Sequence, residues 1–289
     1  MSKLGILVGV DGSAESGAAV RWAAREAVLR DTAVTLVHVV APVVVTWPVA
    51  NLGPSFSDWQ EDNAQQAIEQ AQKQFQAEVG DARSPDVHTL VLYDNVASGL
   101  VKASRDAAMI VAGSRGLGAI GGALMGSASR SLLHHAHCPV VVVRGDQALA
   151  ANDGSPVLVG IDGSPASEAA TALAFDEASR RHVDLVALHA WSDIGVFPVL
   201  GMDWHEYEDL GHELLGERLA GWQEQYPDVR VRRRVVCDQP AHRLLDESQH
   251  AQLVVLGNRG RGGFAGLLLG SVSTAVAEAA KCPVIVVRD

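Results

Sequence analysis

Cysteine is scarce: Cys138, Cys237 and Cys282 are the only three in 289 residues, and no two form a CxxC pair. Three scattered cysteines exclude a disulfide framework and a cysteine-based metal centre, and they read as small buried hydrophobes. Basic side chains are also in deficit. Against 34 Asp and Glu stand 23 Lys and Arg, a net charge of −11. A field of that sign repels polyanions, so neither nucleic acid nor a membrane surface is expected as a partner. No apolar run reaches the roughly 18 residues of a membrane span, and the opening MSKLGILVGVDGS lacks the apolar core and cleavage site of a signal peptide. A cytoplasmic protein is expected. A GxSxG elbow, an HExxH pair and a recurrent pair of carboxylates are all missing, so no nucleophile-base set or zinc hydrolase is legible.

What the chain does have is a repeat. ILVGVDGSAESGAAVRWAAREA, from Ile6, aligns without a gap to VLVGIDGSPASEAATALAFDEA, from Val157, at an offset of 151. MIVAGSRGLGAIGGALMGSASRSLLHHAHCPVVVVR, from Met109, aligns to LVVLGNRGRGGFAGLLLGSVSTAVAEAAKCPVIVVR, from Leu253, at an offset of 144. Two copies of one unit are implied, over 1–145 and 155–289, joined by the small and polar residues GDQALAANDGSP.

Within the first copy, short β-branched runs at 4–10, 33–40, 87–93, 109–114 and 139–143 alternate with helical patterns near 14–30, 58–79, 95–106 and 127–136. The runs are almost continuously apolar, as strands buried on both faces of a parallel sheet must be. Strand-helix alternation predicts βαβ crossovers, hence an α/β fold of two tandem doubly wound α/β sandwiches with five parallel strands each. Ser57 with Gln60 predicts a capping box opening the second helix, and Ser164 before Pro165 predicts a capped start in the second copy. VRVRRRVV (229–236) is too charged for a central strand, and a sheet edge is expected there.

Ligands of open α/β sheets sit beyond the carboxyl ends of the strands, where the strand order reverses. Six glycines fall in the fourteen residues from Gly113 to Gly126, between the fourth strand and a helix. Glycine lets main-chain N–H groups approach an anion, and the following helix N-terminus adds about half a positive charge. Phosphate binding is the expectation. The loop has no lysine, so it is not a Walker A motif, and it follows the fourth strand where a dinucleotide fingerprint follows the first. Both copies share G-x2-G-x9-G-S: Gly113, Gly116, Gly126 and Ser127, then Gly257, Gly260, Gly270 and Ser271.

With VGVDGS and VGIDGS closing the first strands, LVHV and ALHA in the second, and CPVVVVR and CPVIVVR at the ends, the whole chain resembles the universal stress protein family, in its tandem ATP-binding branch. The resemblance implies a Rossmann-like fold and two ATP molecules per chain, with Mg2+ left open. It implies a nucleotide-dependent regulator of stress response or growth arrest, the alternative being a slow ATPase or a nucleotidyl or phosphoryl transferase. Asp11 and Asp162, beside Gly9 and Gly160, would meet the ribose. Val39 and Ala190, just past the second strand, would line the adenine pocket through their backbone. Gly113, Ser114, Arg115, Gly116, Gly118, Gly126, Ser127 and Ser129 would hold the phosphates in one copy, and Gly257, Asn258, Arg259, Gly260, Gly262, Gly270, Ser271 and Ser273 in the other. For Arg115 and Arg259 a solvent-facing position is the equal alternative. DGS is also a good turn sequence, which is compatible with ligand contact. The resemblance further implies a homodimer formed through the terminal strands of the sheets.

His134, His135, His137 and Cys138 suggest a metal cluster, but EAAKC stands at that place in the second copy, so no metal is expected. His38 and His189 are expected to bond backbone. The tryptophan-bearing connections 43–59 and 191–207 read equally as lids or as core-covering loops.

Overall fold

The computed structural model describes residues 3–42, 54–80, 85–117, 125–145, 154–191, 204–237, 239–260 and 268–288. The chain divides into two compact units, Met1–Asp146 and Gln147–Asp289. Unit 1 runs β1 (Ile6–Gly9), α1 (Ala14–Arg30), β2 (Val34–Val40), α2 (Pro54–Val79), β3 (Val87–Tyr93), α3 (Val96–Ala103), a 3-10 turn (Ser104–Asp106), β4 (Met109–Gly113), α4 (Ser127–His135) and β5 (Val140–Val143). Its strands lie side by side in the order β3-β2-β1-β4-β5, all parallel. After β3 the chain crosses to the far side of β1, and that reversal opens a crevice between the carboxyl ends of β1 and β4.

Unit 2 repeats the plan with β6 (Val157–Gly160), α5 (Pro165–Arg181), β7 (Leu185–Trp191), α6 (Trp204–Gln225), β8 (Val231–Cys237), α7 (Pro240–Ser248), β9 (Leu253–Gly257), α8 (Ser271–Ala279) and β10 (Val284–Val287). Its order is β8-β7-β6-β9-β10, again parallel, with the crevice between β6 and β9.

The local reasons match across the copies. Ser13 caps α1 by accepting the Ser16 N–H at 3.1 Å, and Ser164 caps α5 from Ser167 at 3.2 Å, with Pro165 in the first turn. Both helices end on a left-handed residue, Asp31 (φ 48°) and His182 (φ 53°), whose N–H returns to the last turn. Their small faces let them lie flat on the sheet: Ala18, Ala19, Ala23 and Ala27, and Ala170, Ala174 and Ala178, are fully buried. Ile6, Leu7, Leu36 and Ile110 fill the centre of unit 1, and Leu158, Leu185, Leu188 and Phe175 that of unit 2.

The helix α2 begins at Pro54, so Ser57 stands inside it and opens no capping box; proline at the first position starts the helix three residues earlier. The arginine-rich strand is β8, an outer strand of its unit. Its arginines are spent on neighbours: Arg232 pairs with Asp184, Arg233 donates to Gln223 Oε1 at 3.0 Å, and Arg234 lies 4.0 Å from Glu247. No helix among the described residues is long and apolar enough to cross a membrane.

Candidate nucleotide site

Each crevice is built from the turn after the first strand of its unit and the loop after the fourth. Gly12 (φ +82°) and Gly163 (φ +76°) occupy left-handed backbone that a side chain would resist. This turn aims the aspartate before it. Asp11 Oδ1 accepts the Ser13 N–H at 2.9 Å, and Asp162 Oδ1 accepts the Ser164 N–H at 2.9 Å. The aspartates therefore do form the turn, and in unit 1 the other oxygen is left to face the glycine loop: Asp11 Oδ2 accepts the Leu117 N–H at 3.0 Å. Burial pushes the Asp11 carboxyl up, but hydrogen bonds from Ser13, Leu117 and Ser16 outweigh it and hold the group below its ordinary 3.8.

The glycines of the loop divide by cause. A Cβ on Gly116 would stand 2.5 Å from Asp11 Oδ2, and one on Gly260 would meet Asp162 Oδ2 in the same way. These two glycines let the loop lie against the aspartate. Gly113 and Gly257 have another task. A Cβ on either would come within 2.7 Å of the main chain of Glu15 or Ala166, so they pack the end of a strand against the first turn of α1 or α5. Gly160 is similarly tight, 2.7 Å from Leu256, whereas Gly9 keeps an ordinary 3.6 Å from Leu100. Gly118 and Gly262 lie outside the described residues.

Gly126 and Gly270 are the N-caps of α4 and α8, and among the described residues no side chain caps either helix, in contrast to the serine-capped α1 and α5. The N–H groups of Gly126 and Gly270 close the loop on the Ser114 and Asn258 carbonyls at 2.8 and 2.7 Å. Ser127 and Ser271 follow, exposed in the first helical position. Ser129 and Ser273 are buried and donate to the Gly113 and Gly257 carbonyls, both at 2.6 Å. Expected as phosphate donors, these two hydroxyls instead tie strand to helix.

Ser114 and Asn258, at the root of the loops, are 0% and 1% exposed, and among the described residues Ser114 Oγ and both polar atoms of the Asn258 amide are without a hydrogen-bond partner. Buried polar atoms left so are costly and mark a place where a ligand or a loop movement would complete the bonding. Arg115 Nη2 reaches Glu15 Oε1 at 3.0 Å. Arg259 is exposed, and its carbonyl accepts the Ser164 hydroxyl at 3.2 Å.

Val39 and Ala190 were placed just past the second strand; they lie inside β2 and β7, paired with Leu92 and Val236. The apolar run at 33–40 already contains Val39, and β2 ends with it at Val40, so both residues sit within their strands and not beyond them. His38 Nδ1 lies 2.9 Å from the Val10 carbonyl and His189 Nδ1 2.7 Å from that of Ile161, both buried, as expected of backbone-bonded rings. Among the described residues no group of three His, Cys, Asp or Glu could hold a metal. The residues Trp47 and 192–203 of the tryptophan-bearing connections lie outside the described residues.

Sequence reasoning placed Ser13 and Ser164 only in the DGS turn and the cap of α5, and missed Ser16 and Ser167. Ser16 and Ser167 accept the Asp11 and Asp162 N–H groups at 3.5 and 3.2 Å, completing the turn. The signal was present, since D-G-S-x-x-S occurs at the same place in both copies.

Residues 5–144 and 155–288 each match the model of the universal stress protein family. The chain is 58% identical over 287 residues to a universal stress protein of Mycolicibacterium smegmatis, covering 99% of this chain and 98% of that one. A universal stress protein structure from Archaeoglobus fulgidus superposes with a TM-score of 0.70 at 19% identity, over 98% of this chain and 96% of the other. Another solved structure, at 20% identity and a TM-score of 0.35 over 48% of this chain and 95% of its own, is a universal stress protein in complex with cAMP. With both copies matched and near-full-length identity of this order, the chain belongs to the universal stress protein family.

Proposed function

We propose that each unit binds one ATP in the crevice between its first and fourth strands, and that the chain acts as a nucleotide-dependent regulator of stress response or growth arrest. The observation that carries this reading is the pair of uncapped helix N-termini, α4 and α8, each behind a glycine loop held against an aspartate. Unsatisfied first-turn amides and the helix dipole favour an anion there. Exposed Ser127 and Ser271 add hydroxyl donors, and the orphaned polar atoms of Ser114 and Asn258 fit a ligand-completed loop. Asp11 and Asp162 keep lone pairs for ribose hydroxyls. Val39 and Ala190 flank the adenine, and Gly116, Gly126, Gly260 and Gly270 admit the phosphates; Gly118 and Gly262 belong to the same loops.

Regulation requires unequal affinity of ATP for two conformations or assemblies, and the chain forms a homodimer in the cytoplasm in this reading. Domain limits of 1–145 and 155–289 follow from the same two-site plan. The test is direct. Small molecules released by heat from the purified protein are identified by mass spectrometry, and ATP is titrated calorimetrically into stripped protein with and without Mg2+. Two ATP per chain is expected. No heat of binding and no co-purifying nucleotide would overturn the proposal.

A further inference from the structure

We infer that the outer edge of β3 is the contact through which two copies of this chain associate, strand against strand about a two-fold axis at Leu90. The inference rests on the homodimer of the reading above and names the strand that forms it. Within each unit two strands lie outermost, β3 and β5 in unit 1 and β8 and β10 in unit 2. β5 and β10 are 4 residues long, whereas β3 and β8 have 7. Among the described residues β3 pairs with β2 alone. The Val34 N–H donates to the Asp86 carbonyl at 2.9 Å and the Asp94 N–H to the Val40 carbonyl at 3.2 Å, and the register between them runs unbroken from Val34 with Val87 to Val40 with Tyr93. Ladder bonds alternate along a strand, so His88, Leu90 and Leu92 turn their N–H and C=O groups to β2. Val87, Thr89, Val91 and Tyr93 turn theirs outward.

The usual guards of a sheet edge are missing: VHTLVLY contains no Lys, Arg, Asp, Glu or Pro, and its ladder has no bulge. A second copy of the same strand fits it. Set antiparallel with Leu90 against the partner's Leu90, Val87 meets the partner's Tyr93 and Thr89 the partner's Val91 as hydrogen-bonded pairs, about eight main-chain bonds in all. These β-branched and aromatic residues pair well across strands, and Tyr93, now 69% exposed, would be covered. β8 is the contrasting case. The same pairing about its centre sets Arg234 against the partner's Arg234, with Arg232 and Arg233 beside them, and like charges directly opposed destabilise a pair. A net charge of −11 makes two copies repel, so an edge free of charge is where they approach at least cost. Strands of 7 residues fall short of the roughly 1,600 Å² of a standard interface, so the association is of about micromolar strength.

The experiment follows the full chain by sedimentation velocity from about 1 to about 200 μM, beside a Thr89→Lys variant, with thermal melts confirming that each is folded. Thr89 is exposed and its backbone faces away from β2, so this substitution charges the open edge and spares the ladder. It should weaken the dimer by about tenfold or more. A second variant, Leu90→Cys, reads the axis itself. The residues facing each other there form a non-hydrogen-bonded pair with Cα atoms about 4.5 Å apart, within disulfide range, so mild oxidation should give a covalent dimer whose linked peptides both contain position 90. Thr89→Lys as dimeric as the wild type, or no cross-link at position 90, overturns this inference and leaves the homodimer standing. A wild type that stays monomeric throughout overturns both, the edge then being open to an extended segment of another protein, and leaves the ATP reading untouched.

Discussion

Replacing Gly116 with alanine tests the contact on which the first site is built. The new methyl would lie 2.5 Å from Asp11 Oδ2, where real contacts do not fall below 3.0 Å, so one side must move by about half an ångström. The carboxylate resists. Ser13 N–H holds Oδ1 at 2.9 Å, and Leu117 N–H, in the residue next to the substitution, holds Oδ2 at 3.0 Å. The weaker restraint is the Leu117 bond, so the loop lifts from the aspartate. A hydrogen bond to a charged group contributes about 1.5–3 kcal/mol, and Asp11 is only partly buried, so about 1–1.5 kcal/mol is the expected loss. If the loop must be seated before ATP binds, that is about a five- to tenfold weaker site. Calorimetry should show the loss at one of two sites, with the melting temperature lowered by no more than about 5 °C. Gly260→Ala should do the same at the other site, and the double variant should affect both. If Gly116→Ala binds ATP as the wild type does and melts at the same temperature, the carboxylate yields freely and the loop-on-aspartate argument is wrong.

Other outcomes follow from the same geometry. Because the folded Asp11 carboxyl titrates below 3.8, it contributes stability that is complete above that value and is lost as pH falls through the lower folded one. Asp11→Asn should therefore flatten the acid-side fall in melting temperature between about pH 5 and about pH 3; equal slopes for the two proteins would refute it. Burial pushes Cys138 and Cys282 up to about 12, so a thiol reagent near neutral pH should leave both untouched in the native protein and reach half-buried Cys237 first. Fast labelling of either buried thiol would contradict the packing. Phe175 is fully buried against Trp222 and Tyr226, at ring distances of 6.2 and 5.7 Å, and Phe175→Ala should cost about 3–5 kcal/mol in urea unfolding. A cost below about 1 kcal/mol would mean that α6 does not anchor there.

Much of the fold was legible because parallel strands are buried on both faces and so write themselves as unbroken apolar runs, VTLVHVV and MIVAG among them. The limits of α1 were equally plain, since DGS supplies both turn and cap. The start of α2 was not, because Ser57 and Gln60 imitate a cap that Pro54 pre-empts. Within the site, G-x2-G-x9-G-S marked the loop but not the reason for each glycine. Gly113 serves helix packing and Gly116 serves the aspartate, although the two are three residues apart. Ser129 resembled a phosphate donor by position and turned out to be a buried brace.

By itself the sequence determined the duplication, the strand-helix alternation and the family, since these depend on local periodicity and on motifs contiguous in the chain. Only the tertiary structure decided what Arg115 meets. Glu15 and Ala166 lie a hundred residues or nearly so from the loops beside them, and no local pattern records that one first-turn acid faces the loop while the other faces α6. A side chain's partner is set by packing across the sheet, which the chain reaches only when it is folded.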